Sequence, residues 1–218
     1  MDPLRFAALK DRLDSAPDTP VTRAFSRPPP QTRIIKAAEH LFSRHGVRSV
    51  TLEEIAEQAD TSTDYVRECF GSLEDVVSNF LKPRLDVATR AYADYWTSLE
   101  QKHGRAAEEQ LRDWIRKLAP STAGPTRPLP FSSEAMELAD QPNHKGLALI
   151  KQWKDALRIK IAMLCCDAFY RDPQILADKL LMLVEGARVQ AATFGGEESG
   201  KRLIEAAEDL FKRHWQPQ

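Results

Sequence analysis

The 218-residue sequence contains only three cysteines, and it lacks both a signal peptide and an apolar run near eighteen residues. A chain with these properties is expected to be cytoplasmic, with reduced thiols and no membrane contact. It also lacks alternating strand patterns, a glycine-rich phosphate loop and the residue spacing of a zinc site. These absences argue against disulfide-stabilised, membrane-spanning and β-rich proteins, and they favour an all-α chain.

The residue patterns of catalysis are missing as well. No nucleophile–base pair and no carboxylate pair stands in a suitable context, so we predict that the protein is not an enzyme and uses no metal or cofactor. The adjacent Cys165 and Cys166 lie on an apolar helical pattern. This pattern favours packing in the core, with a redox or metal role as the alternative.

Charge is nearly balanced, since the formal net charge is -1. Residues 31–85 contain more acidic than basic residues, so composition alone does not predict nucleic-acid binding. Residues 20–36 are the exception, because they carry basic residues and no acid. The basic residues of this segment are Arg23, Arg27, Arg33 and Lys36.

Residues 51–70, TLEEIAEQADTSTDYVRECF, predict two short helices joined by a tight turn. Thr51 and Glu54 match a capping box, which begins the first helix. Asp60 tolerates a left-handed backbone and Ser62 is a good N-cap, so the turn falls between the helices. The second helix directs Val66 and Phe70 inward. Its polar outer face consists of Thr63, Asp64, Arg67 and Glu68, and such a face suits the major groove of DNA.

The flanking segments extend this pattern. Apolar residues at helical spacing precede it, His45-Gly46 ends their helix, and Ser72 begins a long helix after it. Residues 32–77 therefore resemble the TetR family of bacterial transcriptional regulators, through the motif IIKAAEHLFSRHGVRSVTLEEIAEQADTSTDYVRECFGSLEDVV. The resemblance implies a helix-turn-helix domain that binds double-stranded DNA.

The chain also departs from the family pattern. Val66-Arg67 stands where the family commonly has Leu-Tyr, Cys69 where it has His or Tyr, and Leu73 where it has a phosphate-binding Lys. Asp64 and Glu68 add negative charge to the face that approaches DNA. These differences predict fewer phosphate contacts and some repulsion.

Six residues are candidates for DNA contact. Hydroxyls and backbone N–H groups near helix N-termini favour phosphate, and Arg67 is the best reader of a base because its guanidinium can hold a guanine edge. An ion pair of Arg67 with Asp64 or Glu68 is the alternative. Tyr65 is expected on the DNA backbone or a thymine methyl group. The candidates are Arg33, Thr51, Ser62, Thr63, Tyr65 and Arg67.

Three regions are predicted: a flexible arm over residues 1–30, the helix-turn-helix headpiece over residues 31–76, and a larger helical domain over residues 77–218. The arm is rich in proline, with a short amphipathic pattern over residues 3–13. It is either a disordered tail or an arm whose arginines contact phosphates or a minor groove.

The larger domain is predicted to bind a ligand and to dimerise. Pro83 should kink or break its first long helix, either as a hinge that moves with ligand or as a fixed kink. Helical bundles form apolar pockets between helices. The aromatic candidates for such a pocket are Tyr92, Trp96, Trp114, Phe131, Trp153 and Phe169.

The last two helices are rich in apolar and small residues, and the resemblance implies that this pair forms a four-helix dimer interface with its copy. The alternative is that both helices only complete the monomer core. The candidates for the interface are Leu180, Leu183, Ala187, Ala191, Leu203, Ala207 and Leu210.

These features together predict a homodimeric transcriptional regulator, a repressor that a small molecule of unknown identity releases from a palindromic operator. The alternative is an interaction protein of the same fold with weakened or lost sequence-specific DNA binding.

Overall fold

The computed structural model describes residues 28–120 and 131–216. The predicted arm up to residue 27, together with residues 121–130 and 217–218, lies outside the described residues. Within the two ranges the chain forms nine helices and no strand, which confirms the all-α prediction. The helices are α1 Pro30–His45, α2 Leu52–Gln58, α3 Thr63–Phe70, α4 Leu73–His103, α5 Ala107–Leu118, α6 Ser132–Glu137, α7 Lys145–Asp167, α8 Pro173–Phe194 and α9 Gly196–His214.

Local sequence signals begin and end the first three helices. The Thr51 hydroxyl accepts the Glu54 amide at 3.3 Å, and the Glu54 carboxylate accepts the Thr51 amide at 2.8 Å, so the predicted capping box is present. Asp60 takes the left-handed backbone of the turn with φ 52°. Ser62 then caps α3 by accepting the Tyr65 amide at 3.2 Å. These contacts orient α3 relative to α2.

The long helix α4 connects the headpiece, which comprises α1 to α3, to the remaining helices, which we call the body. Ser72 begins α4 by accepting the Asp75 amide. The prediction of a helix break at Pro83 is wrong, because the helix α4, 31 residues long, is continuous through Pro83. Pro83 is exposed, whereas Leu81 and Leu85 are buried on the other side. Packing of the buried side therefore maintains the helix across the proline.

Two helices of the body begin at residues that the local backbone sets. The helix α7 begins at Lys145, and the His144 ring caps it by accepting the Gly146 amide at 2.9 Å. The last helix begins at Gly196, directly after Gly195 with φ 87°.

The body is a bundle in which α8 packs against both α7 and α9, while α7 also packs against α4 and α5. Gly146 permits the close approach of α7 to α4, since a Cβ atom there would lie 3.0 Å from Leu81 Cδ1. The buried apolar side chains of headpiece and body form one cluster that extends from Ile34 in α1 to Phe211 in α9. Movement of the headpiece is therefore coupled to packing in the body.

Among the described helices, none is both long and apolar enough to cross a membrane.

Candidate functional site

The outer face of α3 presents polar side chains beside the first turn of α2. Val66 is fully buried beneath α3, while Asp64, Arg67 and Glu68 are exposed and Thr63 is half-buried. The predicted inner position of Val66 and the predicted outer positions of Asp64, Arg67 and Glu68 are as observed, while Thr63 and Phe70 are both half-buried. A short helix held from behind by packed helices can present its outer face to a major groove.

The Arg67 side chain lies between two acidic side chains. Its guanidinium lies 3.3 Å from Glu53 Oε1 in α2 and 3.5 Å from Asp64 Oδ1 in its own helix. The sequence suggested Asp64 as a partner, and Glu53 is a partner that spacing along α3 could not reveal. The Arg67 side chain is still about half exposed. Because exposed ion pairs contribute little, DNA can compete for this guanidinium.

Arg33 lies behind the turn of the helix-turn-helix. Its side chain is only 18% exposed, and its guanidinium donates to the Asp60 carbonyl at 3.4 Å and lies 3.8 Å from the Asp60 carboxylate. The Nε atom of Arg33 is buried without a hydrogen-bond partner among the described residues. Arg33 thus stabilises the left-handed turn at Asp60 and directs much of its charge toward that turn.

The hydroxyl groups of Thr51 and Ser62 differ in whether a hydrogen-bonding atom remains free for DNA. Thr51 both accepts from and donates to Glu54, so its hydroxyl is occupied by the capping box. The Ser62 hydroxyl accepts the Tyr65 amide, and its proton has no acceptor among the described residues. A hydroxyl with a free proton at a helix N-terminus suits a phosphate oxygen.

Tyr65 and Cys69 interact one turn apart on α3. Both are half-buried and pack against the headpiece core. A hydrogen bond with the Cys69 side chain raises the pKa of the Tyr65 phenol.

Aromatic side chains in the body form two groups. Tyr92 and Phe131 both meet Trp153 edge to face, with ring centroids 5.3 Å and 5.5 Å apart. Trp96 stacks on Trp114 at 6.3 Å. These five predicted pocket residues thus fall into two contacting groups on α4 and its neighbours.

Phe169 does not join either aromatic group. It follows α7 with φ 59° and is 61% exposed. Its inclusion among the pocket residues is therefore wrong for this structure. The reason is that the left-handed residue ends the helix and rotates the side chain away from the apolar stripe that the periodicity followed.

The buried indole of Trp114 has an unsatisfied donor. Its side chain is completely buried, yet Nε1 has no hydrogen-bond partner among the described residues. One turn earlier on α5, the buried Oε1 of Gln110 is also without a partner in this part of the chain. Buried polar atoms without partners are rare in proteins, and bound water or ligand often satisfies them.

Most of the candidates for the dimer interface are buried within one chain. Leu183, Ala187 and Leu210 are half-buried at the surface, but the other candidates are not available to a partner. Those are Leu180, Ala191, Leu203 and Ala207, all buried in the monomer. The strongest apolar stripe of each helix faces its own bundle, which is why periodicity selected it.

A second apolar stripe on α8 faces solvent. It consists of Ile175, Met182 and Val189, which are 52%, 66% and 59% exposed and recur every seven residues. We call these three residues the exposed stripe. A sequence apolar on two faces gave no means to decide which face is buried inside the chain.

The cysteines are divided between core and surface. Cys165 is buried, as predicted for core packing, whereas Cys166 is exposed and Cys69 is half-buried. Burial raises the pKa of the Cys165 thiol to about 12. No group of three or more His, Cys, Asp or Glu side chains arranged to hold a metal occurs in the described part of the chain.

The arrangement defines a helix-turn-helix headpiece joined by a long helix to a helical bundle. Residues 34–77 match the model of the family described as bacterial regulatory proteins, tetR family. The resemblance that the sequence suggested is thereby confirmed: the headpiece is a TetR-family helix-turn-helix, and the chain has the fold of TetR-family transcriptional regulators.

Solved structures agree with this fold over both headpiece and body. A TetR-family transcriptional regulator from Streptomyces coelicolor is 19% identical, with a TM-score of 0.64 over 86% of this chain and 96% of that one. A putative TetR regulator from Streptomyces avermitilis is 20% identical, with a TM-score of 0.63 over 85% and 98%. A putative regulator from Saccharomonospora viridis, solved in complex with choline, is 20% identical, with a TM-score of 0.58 over 84% and 95%. None of the curated proteins matches the chain.

Proposed function

We propose that the protein is a homodimeric transcriptional repressor that a small molecule releases from a palindromic DNA operator. The observation that carries this proposal is the helix-turn-helix itself, with α3 held at both ends by caps and its polar face exposed. Two such headpieces in a dimer would enter successive major grooves and read an inverted repeat.

The DNA contacts are assigned by the freedom of each side chain. Arg67 reads a base after leaving Glu53 and Asp64, and Ser62 donates its hydroxyl proton to a phosphate. Thr63 adds a contact near the N-terminus of α3, and Tyr65 contacts the backbone or a thymine methyl. Thr51 acts through its capping box, which positions α2. Arg33 acts chiefly by holding the turn.

The effector is proposed to bind in the body, near the two aromatic groups. Trp114 Nε1 and Gln110 Oε1 supply a donor and an acceptor that the described protein leaves unused. The relative from Saccharomonospora viridis was solved with choline, which supports a small-molecule site in a bundle of this fold. Dimerisation is assigned to α8 and α9, through the exposed stripe together with Leu183, Ala187 and Leu210.

A second candidate function is an interaction protein that retains the fold but binds DNA weakly. The specific observation in its favour is the acidic surroundings of Arg67, since Glu53 and Asp64 both compete with phosphate and base for the guanidinium. The exposed Glu68 and the half-buried Leu73 add no cation to this face.

A gel shift separates the two candidates. The full chain is titrated against the DNA upstream of its own gene and against random duplex DNA at the same salt concentration. The repressor proposal requires a specific complex on an inverted repeat, and Arg67→Ala should weaken it by about 1–3 kcal/mol and relax the preference at one base of each half-site. Arg105→Ala, an exposed arginine of the body, is the matched control.

If Arg67→Ala lost the same affinity for the upstream DNA and for random DNA, Arg67 would be a phosphate contact. Equal binding of the wild-type chain to upstream and random DNA would favour the interaction protein.

A further inference from the structure

A cavity lies at the junction of headpiece and body, apart from the aromatic groups of the bundle. Its volume is about 410 Å³, which is within the range of small-molecule sites. Three segments form its walls: the loop after α1 with Val47 and Arg48, the start of α4, and the connection from α6 to α7 up to His144. An occupant would therefore contact headpiece and body together.

The floor of this junction cavity is apolar. Val47, Val77 and Leu138 all line it, and each is at most 3% exposed. Such a floor favours an aliphatic or aromatic group and gains from its burial. Leu138 follows directly after α6, so the floor combines side chains from the headpiece, from α4 and from the body.

His144 supplies a hydrogen-bond donor in the wall. The residue is 8% exposed, and its Nδ1 accepts the Gly146 amide at 2.9 Å. A neutral imidazole that accepts at Nδ1 carries its proton on Nε2. This Nε2–H has no acceptor among the described residues, although His144 lines the cavity. Within the described residues this proton is left to water or to the acceptor atom of a ligand.

The charges around the cavity select against an anion. Glu74 lines the cavity and accepts the Lys145 amide, while the Arg48 guanidinium, also in the lining, forms an ion pair with Asp140 at 2.7 Å. Glu137 lies beside them and accepts the Arg48 amide. A carboxylate ligand would meet these acids, whereas an uncharged carbonyl oxygen can accept from His144 without repulsion.

We propose that the junction cavity is a second small-molecule site, which takes an uncharged ligand with an apolar body and one carbonyl oxygen. The apolar body lies on Val47, Val77 and Leu138, and the carbonyl oxygen accepts the His144 Nε2 proton. The site differs from the effector site proposed in the bundle, and its occupation can be measured without DNA.

The test uses three probes of similar shape on the full chain. Acetophenone carries the apolar body and the carbonyl, cumene lacks the acceptor, and benzoate carries a charge. Binding is followed by NMR of the methyl groups of Val47, Val77 and Leu138. Acetophenone should shift these methyl resonances with a roughly millimolar dissociation constant, as expected for a ligand this small. Cumene and benzoate should each bind about three- to ten-fold more weakly.

Two variants localise the contact. His144→Asn keeps an acceptor for the Gly146 amide, since Asn is a good N-cap, and removes the Nε2 donor. This variant should lower the affinity for acetophenone to that for cumene and leave the affinity for cumene unchanged. Gln152→Ala is the control. Gln152 lies in a neighbouring groove beside Lys145 and Leu149, so its substitution should change neither affinity.

Several results would overturn the proposal. Unchanged methyl resonances up to the solubility limit of acetophenone would exclude the site. Equal affinities for acetophenone and cumene, or an unchanged affinity in His144→Asn, would remove the role of the His144 donor. Tighter binding of benzoate would reverse the assignment of an uncharged ligand. The comparison of probes on the wild-type chain stands even if the variant is unstable.

Discussion

The main-chain amide of Arg48 donates a hydrogen bond to the Glu137 carboxylate, and the two atoms are 3.1 Å apart. Arg48 belongs to the loop after α1 in the headpiece, whereas Glu137 is the last residue of α6 in the body. The Arg48 side chain adds an ion pair with Asp140 at 2.7 Å. Headpiece and body are thus joined by this contact as well as by α4, which restricts the orientation of the helix-turn-helix.

Gly46→Ala should disturb this contact and lower the free energy of unfolding by about 1–3 kcal/mol. Gly46 has φ 81° and ψ 162°, a region that is almost restricted to glycine, and a Cβ atom there would overlap the Glu137 carboxylate. The measurement is urea unfolding of four proteins: wild type, Gly46→Ala, Glu137→Ala and the double variant. Gly46→Ala should cost less in the Glu137→Ala background, because only the backbone strain remains. Equal costs in both backgrounds would show that the Glu137 contact does not matter.

Glu53→Gln should strengthen DNA binding about two- to five-fold, because it frees Arg67 from one of its two acidic partners and removes a charge that repels phosphate. Fluorescence anisotropy on the inverted repeat that the gel shift identifies measures the change in DNA affinity. Glu57→Gln is the matched control, since Glu57 is exposed in the same helix and forms no ion pair with Arg67. The same gain in both variants would assign the effect to net charge alone.

Met182→Glu should convert the dimer to folded monomer, because it places a charge in the exposed stripe of α8, where the partner is proposed to pack. Light scattering gives the mass, and circular dichroism reports the fold. Met136→Glu is the control: Met136 is 78% exposed on α6, outside α8 and α9. A Met182→Glu protein that is still dimeric would move the interface to another surface, and a monomeric wild type would remove the dimer altogether.

The sequence predicted those parts of the fold that depend on neighbours along the chain. The helix caps are of this kind, because each capping side chain accepts an amide only three residues along the chain. They could therefore be identified without tertiary information at Thr51, Ser62 and Ser72. Asp60 in the turn belongs to the same group. The same local reasoning placed Val66 inward and Arg67 outward on α3.

Tertiary contacts account for the differences. Glu53 reaches Arg67 across the turn, fourteen residues along the chain, and no helical spacing indicates such a pair. Leu180 and Met182 are both apolar residues of α8, yet one is buried and the other is 66% exposed. Only the packing of α7 and α9 determines which face of α8 the bundle covers. Tertiary packing also explains Pro83, because the buried side of α4 offsets the free energy lost with the backbone hydrogen bond at the proline.

Asp113→Asn should lower the free energy of unfolding by about 1–2 kcal/mol at pH 7. Asp113 accepts from Lys102 at 2.5 Å, from His103 at 2.8 Å and from Arg116 at 3.1 Å. The hydrogen bond from Lys102, followed by that from His103, holds the pKa of Asp113 well below its usual range. A lowered pKa stabilises the folded chain above the unfolded pKa of about 3.9, and the stabilisation is lost as pH falls toward the folded value.

The difference between Asp113→Asn and wild type should therefore shrink below about pH 4. Urea unfolding at a series of pH values measures it. Asp209→Asn removes an exposed pair with Lys212 at 3.6 Å and should change stability by less than about 0.5 kcal/mol at any pH. A difference for Asp113→Asn that is constant with pH would show that packing, not ionisation, is responsible.

Pro83→Ala addresses how a ligand in the body would change DNA binding. The proline cannot donate to the Asn79 carbonyl one turn earlier, and the side chains of Ser78 and Asn79 themselves bond to the carbonyls of Glu74 and Asp75 at 2.8 Å. Side chains that bond back to the helix in this way favour bending. The segment between Ser78 and Pro83 therefore combines a missing backbone hydrogen bond with two side chains that favour bending.

If this segment is a hinge, Pro83→Ala should change the coupling between ligand and DNA, which is typically about 1–3 kcal/mol, while stability without ligand changes little. If Pro83 only sets a fixed shape, the restored hydrogen bond should raise stability by about 1–3 kcal/mol and the coupling should stay the same. Thermal unfolding gives the first quantity, and anisotropy on the operator with and without an inducing ligand gives the second. Because α4 is continuous through Pro83 and its buried side packs into the common core, we expect the second result: higher stability with unchanged coupling. A change in coupling at constant stability would contradict that expectation and assign the hinge to Pro83.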